Sequence, residues 1–355
     1  MKNLIWAFCL FILQQNVYAQ YEKHSDQLRI LTYNVAYCKG QNGAVSGALA
    51  KENVKSIGLV LKKLDADIVA IQELDSGAVS RDKRFLLEEI KNASGIDYQV
   101  VYGNACEYNH GSIGCGMLVK KNIVISKIKK TSLPGDEKRV LLRFDSDYFT
   151  MMCTHLDLNT EKRINSASII DNEKDYIRRP IFLAGDLNDS HRWSDGAFAN
   201  FFNDTWSIIS TLDYTLSNRD NHNTIDYVLY YDTNKKYQVI ETKAVRDILL
   251  VDGKSINTEL VSDHLPVYVD IQPIGVSGIV NQKTDEINLK RDSNSITIYS
   301  GGNSFDCSMY TLSGICVQKD YNVVTLNVNT SSFHPGIYFL EIKERNNLRK
   351  VKVLI

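Results

Sequence analysis

Six short polar motifs follow one another along the chain, and each ends or follows an apolar run typical of a strand. The side chains that could do chemistry in them are Asn34 (TYNV), Glu73 (IQEL), His155 (THLD), Asp186 and Asn188 (GDLN), Asp226 (TIDYVL), and Asp263 with His264 (SDHLPV). Carboxylate and amide oxygens bind hard divalent cations, and histidines can stabilise a phosphate. The combination predicts a site where a divalent metal ion and a phosphate lie beside an activated water.

The GDLN motif is the candidate for water activation. Asp186 and Asn188 are two residues apart after the apolar run Ile181–Ala184, so extended geometry points both side chains the same way. Asp186 can accept a proton from water while Asn188 holds a phosphate oxygen. An isolated GDLN is equally compatible with an Asx turn that closes a strand. The assignment therefore depends on the other motifs.

The SDHLPV motif predicts a catalytic histidine. A carboxylate beside His264 can fix its tautomer and stabilise its charged form, and Asp226 is the candidate for that carboxylate. His155 is interpreted as a second group that stabilises the transition state electrostatically. Either histidine taken alone is more typical of a structural role, so their catalytic interpretation rests on the set.

Two further groups concern the metal and the phosphate. Glu73 is a candidate magnesium ligand, because Mg²⁺ typically takes one or two carboxylates plus waters and substrate oxygens. Asn34 is a ligand or a phosphate-orienting residue if the motifs converge, and a turn residue otherwise. Arg139 and Arg143 are candidates for phosphate contacts, with salt bridges as the alternative. No CxxC or HxxxH spacing occurs, which disfavours zinc.

A sheet scaffold must position these residues. The pattern predicts strands at 28–35, 67–72, 99–102, 116–119, 140–144, 148–154, 181–184, 224–230 and 265–271. It predicts amphipathic helices at 52–64, 83–93 and 161–176. Alternation of strands and helices, with several hairpins, predicts an α/β fold with mixed sheets. The motifs lie at strand ends, where loops of a rigid sheet can converge on one site.

The chain divides into segments of different character. Residues 1–19 combine Lys2, an apolar run and a small-residue cleavage site, which predicts a signal peptide and an exported protein. No later stretch is long and apolar enough to predict a transmembrane helix. Residues 20–274 carry all six motifs, and 275–287 read as a linker. Residues 288–355 contain short strands separated by turn residues, which predicts a small antiparallel β-sandwich.

Charge and cysteine content restrict the function further. The formal net charge is −1 over 355 residues, which gives no support for a strongly basic nucleic-acid surface. After signal removal six cysteines remain, and an even number in an exported chain permits disulfides. Cys106–Cys115 and Cys307–Cys316 are the closest pairs, and the hypothesis is that each closes a short loop, with the disulfide state left open by the sequence. Cys153, in the apolar run MMCTHL, is predicted to be buried in the core.

The six motifs, in this order over about 28–271, resemble the endonuclease/exonuclease/phosphatase superfamily. The resemblance implies a four-layered α-β-β-α sandwich and a phosphoesterase that depends on Mg²⁺ or Mn²⁺. It implies Glu73, Asn34 and Asp263 at the metal. The catalytic set it implies is Asp186 on the water, Asn188 on the phosphate, His264 with Asp226, and His155 as the second phosphate-stabilising histidine. The sequence departs from the family pattern at 113–119 and at Thr224, which affects the substrate assignment.

The end of the chain is similar, more weakly, to the C-terminal sorting domains of type IX secretion substrates. The matching features are MYTLSGICV, HPGIYFLEI and the basic, apolar terminus. This resemblance implies the secretion machinery as a partner and a periplasmic, cell-surface or extracellular location. An accessory β-domain is the alternative.

The sequence leaves the substrate open. The expected activity is hydrolysis of a lipid or inositol phosphate, a small phosphodiester or a nucleic acid by a monomeric enzyme. A secreted endonuclease is the principal alternative, and a non-catalytic binding protein on the same scaffold is a further one. Selectivity is expected in loops 106–116 and 190–223, which carry no recognisable code.

Overall fold

The computed structural model describes residues 21–23, 27–274, 287–292, 294–300, 303–344 and 347–355. The predicted signal peptide and nearly all of the predicted linker lie outside these residues. In the N-terminal unit (27–274), the strands are β1 (Leu28–Asn34), β2 (Ile68–Ser76), β3 (Tyr98–Tyr108), β4 (Gly111–Lys120), β5 (Lys127–Leu133), β6 (Arg139–Asp145), β7 (Thr150–His155), β8 (Ile181–Asp186), β9 (Ser207–Ile208), β10 (Asp226–Tyr231), β11 (Tyr237–Ala244), β12 (Ile248–Val251), β13 (Lys254–Asn257) and β14 (Val267–Pro273). Its helices are α1 (Gly47–Leu64), α2 (Leu86–Ser94), α3 (Thr160–Lys174), α4 (Asn203–Thr205) and α5 (Thr258–Val261), with a π-helical turn at Phe198–Phe202.

Twelve of these strands form two six-stranded sheets, and β12 and β13 form a separate two-stranded sheet. The first has the order β11-β14-β1-β2-β4-β3 and the second the order β5-β6-β7-β8-β10-β9. One pair in each sheet is parallel, β1 with β2 and β7 with β8, and the other pairs are antiparallel. The prediction of mixed sheets is confirmed.

Three apolar clusters hold four layers together. Residues such as Met117 and Phe182 fill the space between the sheets. Ile57 of α1 packs with Val69 on the outer face of the first sheet. Ile170 of α3 packs with Leu183 and Phe198 on the outer face of the second. The predicted four-layered sandwich is therefore confirmed.

Several boundaries differ from the predictions because remote contacts set them. Helix α1 begins at Gly47, five residues early, where the Gly47 amide donates to Asp82 Oδ2 at 2.6 Å. The predicted loop 106–116 is instead largely strand, since β3 and β4 are joined by a turn at Asn109 and His110, both with positive φ. Such a left-handed pair matches the twist of antiparallel strands.

The C-terminal sandwich consists of two antiparallel sheets. Its strands are β15 (Ile287–Asp292), β16 (Ser295–Ser300), β17 (Phe305–Thr311), β18 (Cys316–Val323), β19 (Thr325–Asn329), β20 (Ile337–Glu344) and β21 (Asn347–Leu354). The sheet orders are β15-β16-β19 and β18-β17-β20-β21. Side chains including Ile298, Phe305 and Leu340 form its own core, so the predicted β-sandwich is confirmed as a separate domain.

Candidate active site

Strand register brings the motifs to one end of the two sheets. Parallel pairing of β7 with β8 sets His155 beside Asp186, and antiparallel pairing of β10 sets Asp226 on the other side of Asp186. Gly185 allows the strands this close, because a Cβ there would lie 2.1 Å from the Thr154 carbonyl oxygen. Asp186 thus occupies the centre of a row of three functional residues.

Asp186 is almost fully buried and accepts hydrogen bonds from two amides. Its Oδ2 accepts from Asn34 Nδ2 at 3.0 Å, and its Oδ1 accepts from the backbone amide of Asn188 at 2.9 Å. The same Oδ2 lies 3.4 Å from His155 Nε2 and 3.7 Å from His264 Nε2. The carboxylate is therefore fixed in orientation between the two histidines.

His264 is held in a pair with Asp226. Its Nδ1 lies 2.9 Å and 3.1 Å from the two carboxylate oxygens of Asp226, and both residues are buried. Burial by itself lowers the pKa of His264, but Asp226 and then Asp186 oppose it and raise the pKa to about 10. At neutral pH His264 is an imidazolium whose Nε2–H faces Asp186.

His155 has the opposite surroundings. Asn188 Nδ2 lies 3.0 Å from its Nε2, and Arg139 Nη1 lies 3.3 Å from its Nδ1. Burial lowers the pKa of His155 to about 4, with Asp186 opposing this effect and Arg139 adding to it. Because the Arg139 guanidinium donates toward Nδ1, that nitrogen acts as an acceptor and the neutral imidazole is favoured. His155 therefore contributes hydrogen bonding without charge.

The predicted metal ligands lie next to Asp186. Asn34 Nδ2 donates to Glu73 Oε1 at 3.0 Å as well as to Asp186, so Asn34 links the two carboxylates. Glu73 is half-buried with a left-handed φ of 55°. Burial raises the pKa of Glu73, Asn34 opposes that rise, and Asp263 and Asp186 add to it.

This donor set fits a divalent cation. Three carboxylates, those of Glu73, Asp186 and Asp263, repel one another here, and a cation among them relieves that repulsion. Asp263 is more exposed than the other two, and Lys39 Nζ lies 3.4 Å from its Oδ2. Oxygen donors of this kind suit Mg²⁺ or Mn²⁺.

A second group of possible ligands is less suitable. Atoms of Asp186, Asp226 and His264 lie within 4.8 Å of one another, close enough to hold a metal ion. However, both oxygens of Asp226 already face His264 Nδ1, so these two residues are engaged with each other. The Glu73 side of the site therefore fits a cation better.

The two arginines have different positions. Arg139 reaches His155, as described above, and its Nε lies 3.5 Å from Asp157 Oδ2. Arg143 instead pairs with Asp145 at 2.8 Å and with Glu173 at 3.0 Å. Both are on β6 four residues apart, which puts them roughly 13 Å from each other along the strand. Arg143 therefore has the salt-bridge role that was the alternative to a phosphate contact.

Tyr37 is a neighbour of the site that the motifs did not reveal. Ala36, Tyr37 and Cys38, which begin two residues after Asn34, all have left-handed φ values, of 47°, 54° and 53°. Arg81 lies 3.8 Å above the Tyr37 ring. Burial and the charge of Glu73 raise the pKa of Tyr37, so its hydroxyl is a neutral donor near Glu73. Strained backbone of this kind is concentrated at functional sites.

The predicted disulfides are not formed. The six cysteines among the described residues are free. Across the β3–β4 pair, Cys106 faces Ile113 and Cys115 faces Gly103, so these two are not opposite each other. Across β17–β18, Cys307 faces Asp320. Cys153 is buried between the sheets as predicted.

Family comparison agrees with this geometry. Residues 31–264 match the model of the endonuclease/exonuclease/phosphatase family, and residues 285–355 match the secretion system C-terminal sorting domain. The chain belongs to the endonuclease/exonuclease/phosphatase family, whose members typically hydrolyse phosphoesters and commonly use a divalent metal ion. Its tail indicates export through type IX secretion to the cell surface or outside.

Solved structures share the fold at low sequence identity. A family protein from Bacteroides thetaiotaomicron is 16% identical with a TM-score of 0.53, covering 69% of this chain and 97% of its own. A mannosyl-6-phosphatase from Bacteroides thetaiotaomicron VPI-5482 is 17% identical with a TM-score of 0.52, covering 69% and 99%. Humanized D. rerio TDP2 is 12% identical with a TM-score of 0.51, covering 70% and 100%.

A search for curated relatives and a search for membrane-spanning helices both gave negative findings. No curated protein matches the sequence significantly. Within the part of the chain that the structure describes, no helix has the length and apolar character needed to cross a membrane.

Proposed function

We propose that the protein is an exported, divalent-metal-dependent phosphoesterase that hydrolyses a phosphodiester or phosphomonoester. The observation that carries the proposal is the position of Asp186 between a charged and a neutral histidine, 3.7 Å and 3.4 Å from their Nε2 atoms. A carboxylate fixed by two amide donors is suited to orient and deprotonate a water. The adjacent imidazolium is suited to a negatively charged phosphoryl group.

Asp186 accepts the proton of the attacking water, whose oxygen forms the new bond to phosphorus. The bond from phosphorus to the leaving oxygen breaks on the opposite side, and that oxygen takes a proton from solvent. His264 Nε2–H donates to a phosphoryl oxygen and offsets its growing negative charge, while Asp226 keeps the imidazolium charged and oriented. His155 and Asn188 orient the phosphate through hydrogen bonds.

Glu73, Asp263 and Asn34 are the residues that would hold Mg²⁺ or Mn²⁺. When bound, the ion supplies Lewis-acid polarisation of the phosphoryl group and neutralises charge. Asn34 also holds Glu73 and Asp186 at a fixed separation through its amide group.

The substrate class is tested with the purified full-length protein. The panel contains bis(p-nitrophenyl) phosphate, mannose 6-phosphate, phosphoinositides, sphingomyelin, plasmid DNA and RNA, each with Mg²⁺ and with a chelator. We expect metal-dependent release of phosphate or alcohol from at least one substrate, and its loss in Asp186→Asn. Cleavage of DNA or RNA alone would favour the secreted endonuclease.

Two outcomes contradict the proposal. Full activity in Asp186→Asn would remove the assigned mechanism. Absence of metal-stimulated turnover on every substrate, in a protein whose fold is verified by circular dichroism, would favour the non-catalytic binding protein. The exposed Asp195→Asn serves as the matched control, because it makes the same chemical change in the loop that follows the GDLN motif.

A further inference from the structure

A tyrosine of the N-terminal unit, Tyr148, packs against the C-terminal sandwich. Tyr148 lies in the turn between β6 and β7, and its ring stacks on Phe339 with a centroid distance of 6.2 Å and an interplanar angle of 18°. Tyr310 packs against the same ring at 6.3 Å, and Lys350 Nζ lies 5.7 Å from its centroid. Aromatic pairs and a cation near the ring are both stabilising contacts.

The sandwich has a turn shaped to receive this ring. Gly314 has a φ of +83°, and a Cβ at this position would lie 2.6 Å from Tyr148 Cδ2. Glycine is therefore favoured here for two separate reasons, the positive φ and the close approach of the Tyr148 ring. Nearby, the Cys316 amide donates to the Asn122 carbonyl oxygen at 3.4 Å. The contact thus combines ring packing with a backbone hydrogen bond between the two units.

The face of the sandwich that receives Tyr148 is shielded from water. Tyr310 is 9% exposed and Ile315 is 8% exposed, although both lie outside the sandwich's own main core. Thr311 and Ser313 are fully buried there and hydrogen-bond to each other through their hydroxyls. A separate sandwich would present this face to solvent, so its burial indicates a fitted interface.

The interface lies at the opposite end of the sheets from the active site. Tyr148 precedes the first residue of β7, and His155 is its last residue. A strand of six residues spans about 17–20 Å. The parallel strand β8 likewise starts at the interface end, where Thr150 donates to the Pro180 carbonyl oxygen, and ends at Asp186.

We propose that the C-terminal sandwich is a docked anchor, bound to the N-terminal unit through Tyr148 and Gly314 at the pole opposite the active site. A chain held at a surface by this tail keeps its site open toward the surroundings. Docking fixes the orientation of the site relative to the tail, and undocking leaves the chemistry unchanged.

Hydrogen exchange of the full-length chain tests the docking directly, because the Cys316 amide donates to the Asn122 carbonyl oxygen across the interface. In Tyr148→Ala we expect this amide to exchange at least about tenfold faster, equivalent to about 1.4 kcal/mol. The matched control is Tyr176→Ala, which removes a tyrosine that is 86% exposed on the same unit. We expect exchange at Cys316 to be unchanged in that variant.

A second variant approaches the interface from the other side and does not alter the N-terminal unit. Gly314→Ala places a methyl group against the Tyr148 ring and should accelerate exchange at Cys316 in the same way. Gly253→Ala is its control, since Gly253 also has a positive φ of 74° but no atom within 4 Å of the added Cβ. This control makes the same change at a positive φ away from the interface, and exchange at Cys316 should stay unchanged.

Unchanged exchange at Cys316 in both Tyr148→Ala and Gly314→Ala would overturn the proposed docking. The second part of the proposal is that undocking leaves the chemistry of the active site unchanged. It is tested by hydrolysis of bis(p-nitrophenyl) phosphate, where we expect kcat/KM of Tyr148→Ala to stay within about twofold of wild type. A tenfold change would show that docking and catalysis are coupled and would overturn that part. If the protein lacks phosphoesterase activity, the exchange experiment still decides the docking.

Discussion

The two histidines of the active site have the same intrinsic chemistry and opposite charge states. His264 faces two carboxylates, those of Asp226 and Asp186, and its pKa is raised to about 10. His155 has only one of these carboxylates beside it, that of Asp186, and Arg139 lies on its other side. Its pKa is lowered to about 4. Both are buried to a similar extent. The difference shows that the nearest charges, rather than burial alone, decide which histidine is a cation.

The comparison also predicts how stability depends on pH. The folded-state pKa of His264 exceeds the usual value of about 6.5, so its stabilising contribution is complete below pH 6.5 and is lost toward pH 10. The folded-state pKa of His155 is below that value. Its contribution is complete above pH 6.5 and is lost as pH falls toward 4. The two histidines therefore give opposite slopes in adjacent pH windows.

The largest effect is expected from neutralising Asp226, the carboxylate that keeps His264 charged. In Asp226→Asn the pKa of His264 falls, because its main charge partner becomes neutral, and kcat should drop about 10²- to 10⁴-fold. The free energy of unfolding of wild type should decline between pH 6.5 and 10, and this decline should weaken in the variant. The fall in kcat is measured from pH profiles of kcat, and the free energy of unfolding is measured by urea unfolding at each pH.

The exposed Asp220→Asn is the control for that experiment, and it should behave as wild type in both assays. If Asp226→Asn keeps the wild-type pH profile, the carboxylate does not set the charge of His264. The contrast between the histidines would then need another cause.

The next effect concerns the divalent cation proposed to bind beside Asp186, the carboxylate that both histidines share. Glu73→Gln removes one of the three crowded carboxylates, so we expect the half-activating Mg²⁺ concentration to rise at least about tenfold. Binding of Mn²⁺, followed by electron paramagnetic resonance, should weaken in parallel. Glu107→Gln, an exposed change on β3, is the control. Unaltered Mn²⁺ binding in Glu73→Gln would move the metal site away from Glu73.

The smallest effect is expected at His155. Arg139→Gln removes the cation beside Nδ1, which raises the pKa of His155 from about 4, while burial and the Asn188 contact remain. NMR titration of the imidazole should record the upward shift, and kcat at pH 7 should fall only a few-fold, because His155 stays largely neutral there. Arg219→Gln, at an exposed pair with Glu259, should leave the titration unchanged. A downward shift in Arg139→Gln would contradict the role of Arg139.

Local sequence patterns predicted most of the scaffold. Strand and helix patterns predicted an α/β fold with mixed sheets and the β-sandwich of the tail, and the family resemblance carried by the six motifs implied the four layers. Where the boundaries failed, the cause was a remote contact, as for α1, whose first amide is bound by Asp82. The two arginines of β6 have the same strand-face position by sequence, and only their partners distinguish Arg139 from Arg143.

The sequence by itself determined which side chains are available for chemistry and that they end strands, because these properties are written in residue type and in the period of the apolar pattern. The tertiary structure decided their states. Arg139 and Asp226 reach the histidines from other strands, and the left-handed turn at Tyr37 and the docking of Tyr148 both depend on distant segments. Charge state and contact depend on distances across the fold, which local sequence patterns do not specify.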